Sequence, residues 1–318
     1  MARELIVLGS ASQTPTRTRN HNGYLLLWDG DGVLFDPGEG TQRQLLLAGV
    51  SPWSFRRICI THLHGDHCLG LPGVVQRLSL DQVAHPVDLH YPAAGEAYVE
   101  RLLHAAVFDE RAEVRRVPVT AEGVVARTPL FTLSAMRLDH EPETYGFRLE
   151  EPAGRTMLPE RLAAAGVRGP MVGELQRAGT VVVEGRRVSL EEMSVPRHGQ
   201  VVAFVMDTRY CERALALARD ADLLVCEATF TTADAALAHR FRHMTAAEAG
   251  RLAAEVGARR LVITHFSQRY PDESVLLEEA RREFDDVVAA RDLARIPVPP
   301  RRTAQPGSAS WPAGVSPQ

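Results

Sequence analysis

Three imidazoles and a carboxylate fall within the six residues His62-Leu63-His64-Gly65-Asp66-His67, directly after the apolar, β-branched run Ile58-Cys59-Ile60-Thr61. The apolar run reads as a strand. So many polar side chains cannot continue into the interior without partners, so the strand must open into a loop at its carboxyl end. Such a loop is a ligand cage. Imidazole with carboxylate suits Zn²⁺, with Mn²⁺ or Fe as alternatives, and ligands this crowded allow more than one metal. A lone histidine is usually structural or solvated; four ligand-type side chains in six residues call for another explanation.

Three further residues share that placement. His140 follows the run Leu133 to Leu138, Asp207 follows Val201 to Met206, and His265 follows Leu261 to Thr264. Each is weak alone; together they repeat one pattern, a ligand-type residue where a buried strand ends.

The pattern along the chain is α/β. Strand-like runs at Leu5 to Leu8, Tyr24 to Trp28, Val33 to Phe35, Ile58 to Thr61, Thr132 to Leu138 and Tyr145 to Leu149 alternate with helical stretches at Gly40 to Ala48, Leu71 to Leu80 and Gly95 to Val107. Regular alternation resumes with strand Val201 to Met206, helix Glu212 to Arg219, strand Leu223 to Cys226, helix Thr245 to Glu255 and strand Leu261 to Thr264. Thr245 and Glu248 have the spacing of a capping box. Between Glu151 and about His198 the chain turns into a charged segment with two helical candidates, Leu158 to Ala165 and Met171 to Ala178, and it reads as an insertion. Residues 300–318 are rich in Pro, Gly, Ser and Ala without periodicity and are expected to be a disordered tail.

At 318 residues with 45% hydrophobic content, the chain can bury a substantial core. Its four cysteines are too sparse for a disulfide scaffold and are expected to be reduced. Met1-Ala2-Arg3-Glu4 leads straight into an apolar run without the form of a signal peptide. No apolar run approaches the roughly 18 residues of a membrane span, so the expected location is the cytoplasm, with no membrane partner. The net charge of −4 argues against nucleic-acid binding by the whole surface, so any RNA contact must use local basic patches. All 36 basic residues are arginine, which suits bidentate phosphate contact.

The segment Thr61 to His67 followed by Cys68-Leu69-Gly70-Leu71-Pro72-Gly73 resembles the H-x-H-x-D-H signature of the metallo-β-lactamase superfamily. Three other segments narrow the resemblance to the ribonuclease Z family of tRNA 3′-processing endonucleases. Phe35-Asp36-Pro37-Gly38-Glu39-Gly40-Thr41-Gln42-Arg43-Gln44 resembles its acidic, glycine-rich motif, and Pro15-Thr16-Arg17-Thr18-Arg19-Asn20 its basic loop. Ile263-Thr264-His265-Phe266-Ser267-Gln268-Arg269-Tyr270 resembles its last ligand segment. The resemblance runs from about Glu4 to Pro299.

It implies an αββα sandwich, two mixed sheets packed between helices, formed by residues 1–299 with an inserted flexible arm at 151–198. It also implies a metal-dependent endoribonuclease that removes the 3′ trailer from precursor tRNA and leaves a 3′-hydroxyl. His62, His64 and His140 would hold one Zn²⁺; Asp66, His67 and His265 would hold a second; Asp207 would bridge both. Asp66 would also orient or deprotonate the attacking water, while His243, held by Glu227, would serve the leaving oxygen. Arg17 and Arg19 would contact phosphate. Gly169, Pro170 and Arg177 match the arm, an exosite for the tRNA elbow that in the family serves the partner subunit, so a homodimer is implied.

Position 226 departs from the family's His-Glu-Ala-Thr pattern, being Cys226. Two other readings compete: a hydrolase of another ester on the same fold (small phosphodiester, thioester, lactone or sulfate ester), and a catalytically silent RNA-binding protein. The arm and the Phe35 to Gln44 motif weigh against the first, the full set of seven ligands against the second.

Overall fold

The computed structural model describes residues 3–302, which divide into two units: residues up to Glu150 together with Val201–Pro299, and Glu151–Gln200 with the residues after Pro299. The expected disordered tail lies outside the described residues from position 303 onward. Of its first, described residues, Arg301 donates to both oxygens of Glu151, at 3.0 and 2.7 Å.

The larger unit is built on two seven-stranded sheets. The first runs Arg295–Pro297, Glu4–Gly9, Gly23–Leu27, Gly32–Phe35, Phe55–Cys59, Val87–Pro92, Val114–Val119. The second runs Val287–Ala289, Leu261–Thr264, Leu223–Glu227, Val201–Val205, Tyr145–Glu150, Thr132–Arg137, Gly123–Arg127. Each is antiparallel along one half and parallel along the other. These are the two mixed sheets of the expected sandwich.

Period-two geometry explains why the strand runs are continuously apolar. In Glu4–Gly9, Leu5 and Val7 face the core shared with the second sheet, while Ile6 and Leu8 face a second core under helices Thr41–Leu47 and Leu71–Leu80. Between the sheets Phe204 stacks on Phe35 with ring centroids 4.5 Å apart and meets Tyr24 edge-on at 5.3 Å. Helices Glu212–Ala218, Ala246–Glu255 and Ser274–Glu283 contribute Leu217, Leu252 and Leu276 to the same core as the second sheet. The capping box of Thr245 and Glu248 is present. No helix among the described residues is long and apolar enough to cross a membrane.

Several elements depart from the sequence expectation. Val87–Pro92, Val114–Val119 and Gly123–Arg127 are strands that it did not anticipate. The first two carry internal proline or charge, as strands near a sheet edge do, and the third is a short, largely exposed edge strand, so the apolar pattern is hidden. Helices Ala235–Phe241 and Ser274–Glu283 were likewise unanticipated, and the helix expected over Gly95 to Val107 ends at Leu103.

The smaller unit also holds more than two helices. Gly154–Met157 pairs antiparallel with Ser194–Arg197, so its two ends form one ribbon. Helices Pro159–Ala164 and Pro170–Ala178 are followed by a hairpin, Thr180–Val183 with Arg186–Ser189. The turn residues Glu184 and Gly185 both have positive φ, as a tight two-residue hairpin demands. Leu162, Val167, Leu175, Val181, Val188 and Met193 form a separate small core.

Candidate metal centre

The ligand-type residues converge because they leave neighbouring strands at the same edge of the sandwich. The chain reaches His62 just after Phe55–Cys59, Asp207 after Val201–Val205 and His265 after Leu261–Thr264; Glu227 is the last residue of its strand. Asp36, Asp207 and His265 all have positive φ, 44°, 44° and 62°. Non-glycine residues adopt that conformation at a cost, and it concentrates where side chains must be aimed. Two glycines seat the loop: a Cβ on Gly70 would stand 1.9 Å from the carbonyl oxygen of Gly38, and one on Gly38 would stand 2.2 Å from that of Asp66. Only glycine permits this backbone contact, which holds the histidine loop against the Phe35 to Gln44 segment.

All seven expected ligands come together. His62, His64, His140 and Asp207 form one cluster, Asp66, His67 and His265 a second. Asp207 lies between them: its Oδ2 is 3.5 Å from Nε2 of His62 and of His67 and 3.7 Å from that of His140, and its Oδ1 is 3.2 Å from Nε2 of His265. Asp66 Oδ2 stands 3.3 Å from His67 Nε2 and 3.4 Å from His265 Nε2. Tetrahedral ligands bound to Zn²⁺ at about 2.0–2.1 Å stand about 3.3 Å from each other, so these separations fit a divalent cation.

Hydrogen bonds outside the cluster fix four of its five imidazoles. Nδ1 of His62 donates to Thr61 Oγ1 at 3.0 Å, that of His67 to Asp36 Oδ2 at 2.9 Å, that of His140 to the Arg242 carbonyl at 3.0 Å and that of His265 to Thr229 Oγ1 at 2.7 Å. A proton on Nδ1 leaves the Nε2 lone pair facing inward. His64 turns the other way, with Nδ1 2.9 Å from His62 Nε2. Nε2 of His140, Nε2 of His265 and Oδ1 of Asp207 are buried with no hydrogen-bond partner. Buried orphans of this kind are costly, and cations held in the two clusters would satisfy all three.

The electrostatics agree. Burial, reinforced by neighbouring imidazoles, pushes His62 well below its ordinary value, and burial lowers His64 and His140, keeping them neutral and able to ligate. Burial works against charge on Asp66 and Asp207, but His67 and His265 outweigh it and hold both carboxyls below the usual range. His67 is held well above its ordinary value, because Asp207, Asp66 and Asp36 overcome its burial. Positive charge is what these acids require.

His243 Nδ1 lies 2.9 Å from Glu227 Oε1 and 4.0 Å from Asp207 Oδ2. Burial opposes its charge, yet these carboxylates raise it to about 9. Glu227 is fully buried and also accepts from the backbone N–H of Thr208 at 2.7 Å and from Thr229 Oγ1 at 2.5 Å. Cys226 is fully buried in the main core, where burial keeps its thiol protonated.

The other expected contacts fare differently. Arg17 is exposed. Arg19 is not available to phosphate, contrary to expectation: it is 6% exposed, donates to the carbonyls of Tyr270 and Pro271, pairs with Glu273 at 3.4 Å and lies over the Phe266 ring. Its charge ties the basic loop to the segment after His265. In the smaller unit Gly169, with φ 54°, precedes Pro170 at the start of helix Pro170–Ala178, and Arg177 is exposed in its last turn.

Asp36 was not among the expected site residues, although it follows strand Gly32–Phe35 just as the ligands follow theirs. It also accepts from the Thr61 backbone and hydroxyl at 2.7 and 2.8 Å. Asp36→Asn is expected to weaken metal binding about 10- to 100-fold while the protein stays folded. Chelator competition measures this, and unchanged affinity would leave Asp36 a purely structural residue.

A cavity of about 600 Å³ opens onto this centre, lined by His64, Asp66, His140, Asp207, His243 and His265 with Arg240, Phe241 and Arg269 around them. Residues 16–211 match the model of the metallo-beta-lactamase superfamily, and 188–266 that of the beta-lactamase superfamily domain. Curated ribonuclease Z proteins from Salinispora arenicola and Nocardia farcinica are each 56% identical to the chain, covering 96% and 94% of it and 99% of their own lengths. The crystal structure of the short form of human tRNase Z shares the fold, with a TM-score of 0.67 at 24% identity over 93% of this chain and 99% of that one. With a histidine and aspartate cluster suited to metal and likeness along nearly its whole length, the chain belongs to the ribonuclease Z family of the metallo-β-lactamase superfamily.

Proposed function

We propose that this chain is a zinc-dependent endoribonuclease that removes the 3′ trailer from precursor tRNA, hydrolysing one phosphodiester and leaving a 3′-hydroxyl for CCA addition. The observation that carries the reading is Asp207, central to two ligand clusters and orphaned at Oδ1. In this reading His62, His64 and His140 would hold one divalent cation and Asp66, His67 and His265 a second, with Asp207 placed to serve both. Zn²⁺ suits the donors, with Mn²⁺ or Fe as substitutes. Two such cations would supply Lewis acidity that favours ionisation of water and offsets charge on the phosphodiester.

The side chains do the rest. Asp66 accepts a hydrogen bond from the attacking water and aims it at phosphorus. His243, its Nδ1–H donated to Glu227, turns the rest of its ring to the cavity and protonates the leaving 3′-oxygen. Arg17 contacts phosphate near the tRNA 3′ end. Gly169, Pro170 and Arg177 belong to an exosite that grips tRNA away from the cut, supplying the specificity that a phosphodiester alone does not offer.

The active species is a homodimer in which the arm serves the partner subunit's site. Leu46, Leu47 and Leu69 are exposed apolar side chains of the kind such an interface would cover. A monomer mass in sedimentation at assay concentration would refute this. The enzyme acts in the cytoplasm, where precursor tRNA is available.

The deciding assay incubates a precursor tRNA bearing a 3′ trailer with the protein, with and without chelator, and maps the cut. Cleavage at the start of the trailer that chelator stops and Zn²⁺ restores is expected. Cleavage that persists in full after metal removal would refute the reading.

A further inference from the structure

The turn that delivers His243 also puts an aromatic ring in the cavity. Helix Ala235–Phe241 ends with Arg242 at φ 59°, ψ 48°. The N–H of His243 donates to the Ala238 carbonyl at 2.9 Å and that of Arg242 to the His239 carbonyl at 3.4 Å. This pair of bonds closes a helix in a left-handed cap, a place usually taken by glycine. Arg242 holds it differently: its carbonyl accepts from His140 Nδ1, and its guanidinium pairs with Glu141 at 3.0 Å and Asp139 at 3.5 Å. The cap thereby fixes a ligand histidine and the His243 ring in one piece of backbone.

Phe241, just before this cap, is 49% exposed and lines the cavity with His243. Its helix contributes Ala238 to the interior, not Phe241. The guanidinium of Arg240 lies 5.4 Å from the Phe241 ring centroid, and exposed Arg269 lines the same cavity. A phenyl face left open beside cations, at the mouth of a phosphodiester site, suits a flat heteroaromatic ring attached to a phosphate backbone.

We propose that Phe241 is a nucleobase subsite, on which the base of the last retained nucleotide stacks while Arg240 and Arg269 meet the adjoining phosphates. The choice of nucleotide rests on the function proposed above. His243 serves the leaving 3′-oxygen, which belongs to that nucleotide, and Phe241 lies two residues away on the same wall. Stacking tolerates any base because each presents a π-face, which suits an enzyme whose substrates vary at this position.

The test is a cycle of protein and substrate. Phe241→Ala and Phe241→Trp are compared with the natural protein on a precursor tRNA with its ordinary base at the last retained position and on one abasic there. Phe241→Ala is expected to lower kcat/KM about 10- to 100-fold on the ordinary substrate, to change it little on the abasic one, and to be rescued by tryptophan. A loss equal on both substrates would mean that Phe241 acts only through the cap, and no loss on the ordinary substrate would mean that the base is not held there. Either result overturns the subsite and leaves the function standing. If the natural protein leaves precursor tRNA uncut, the function fails and the subsite with it.

Discussion

Asp66→Ala is expected to lower precursor-tRNA cleavage by about 10⁴-fold or more, near the upper end of what a positioned acid–base group contributes, while RNA binding is largely retained. Asp66 is 6% exposed, and its Oδ2 sits between the rings of His67 and His265. On the proposed mechanism the substitution removes a cation ligand and the acceptor for the attacking water at once. It leaves untouched the smaller unit, where RNA is proposed to bind. Turnover rate and a gel-shift binding constant, each measured with Zn²⁺ restored after metal depletion, separate the two effects. Undiminished turnover would remove Asp66 from the mechanism, and an equal loss of binding would show that the site and the RNA grip are one.

Removing residues 155–195 is expected to spare hydrolysis of a small chromogenic phosphodiester and to lower kcat/KM on precursor tRNA by about 10²- to 10³-fold, the scale at which a second tethered contact acts. The structure makes this deletion feasible. Gly154 pairs with Arg197 and Arg155 with Pro196 across an antiparallel ribbon, so a short glycine linker joins the cut ends without displacing Glu150 or Val201. The lost segment carries its own small core and no member of the ligand clusters. An equal loss on both substrates would make the segment a structural support.

The convergence of these ligand-type residues was legible in the sequence because the physics that places them is local. A continuous apolar run must be a buried strand, and a histidine or aspartate just beyond its end must stand where the sheet opens. That rule found His62, His64, Asp66, His67, His140, Asp207 and His265, and applied once more after Gly32–Phe35 it would have found Asp36. Resemblance to a family supplied His243 and Glu227, which spacing alone did not distinguish from the start of a capped helix.

Arg19 marks the limit of local reasoning. Beside Arg17 on a basic loop it has the same sequence signal, yet one guanidinium is exposed and the other buried against carbonyls about 250 positions away in the chain. Edge strands such as Val114–Val119 were hidden for a related reason: their neighbours, not their own pattern, make them strands.

What the sequence determined by itself is the alternation of strand and helix, the α/β class and the choice of candidate ligands, because burial period and donor chemistry are properties of short segments. What only the tertiary structure decided is how those ligands are aimed: which ring nitrogen faces inward, which carboxylate lies between the clusters, and which aromatic ring is left open to the cavity. These depend on hydrogen bonds and backbone contacts between segments far apart in the chain, such as His67 to Asp36, His140 to the carbonyl of Arg242 and Gly70 against Gly38. The sequence of any one segment carries no record of the partner it will meet.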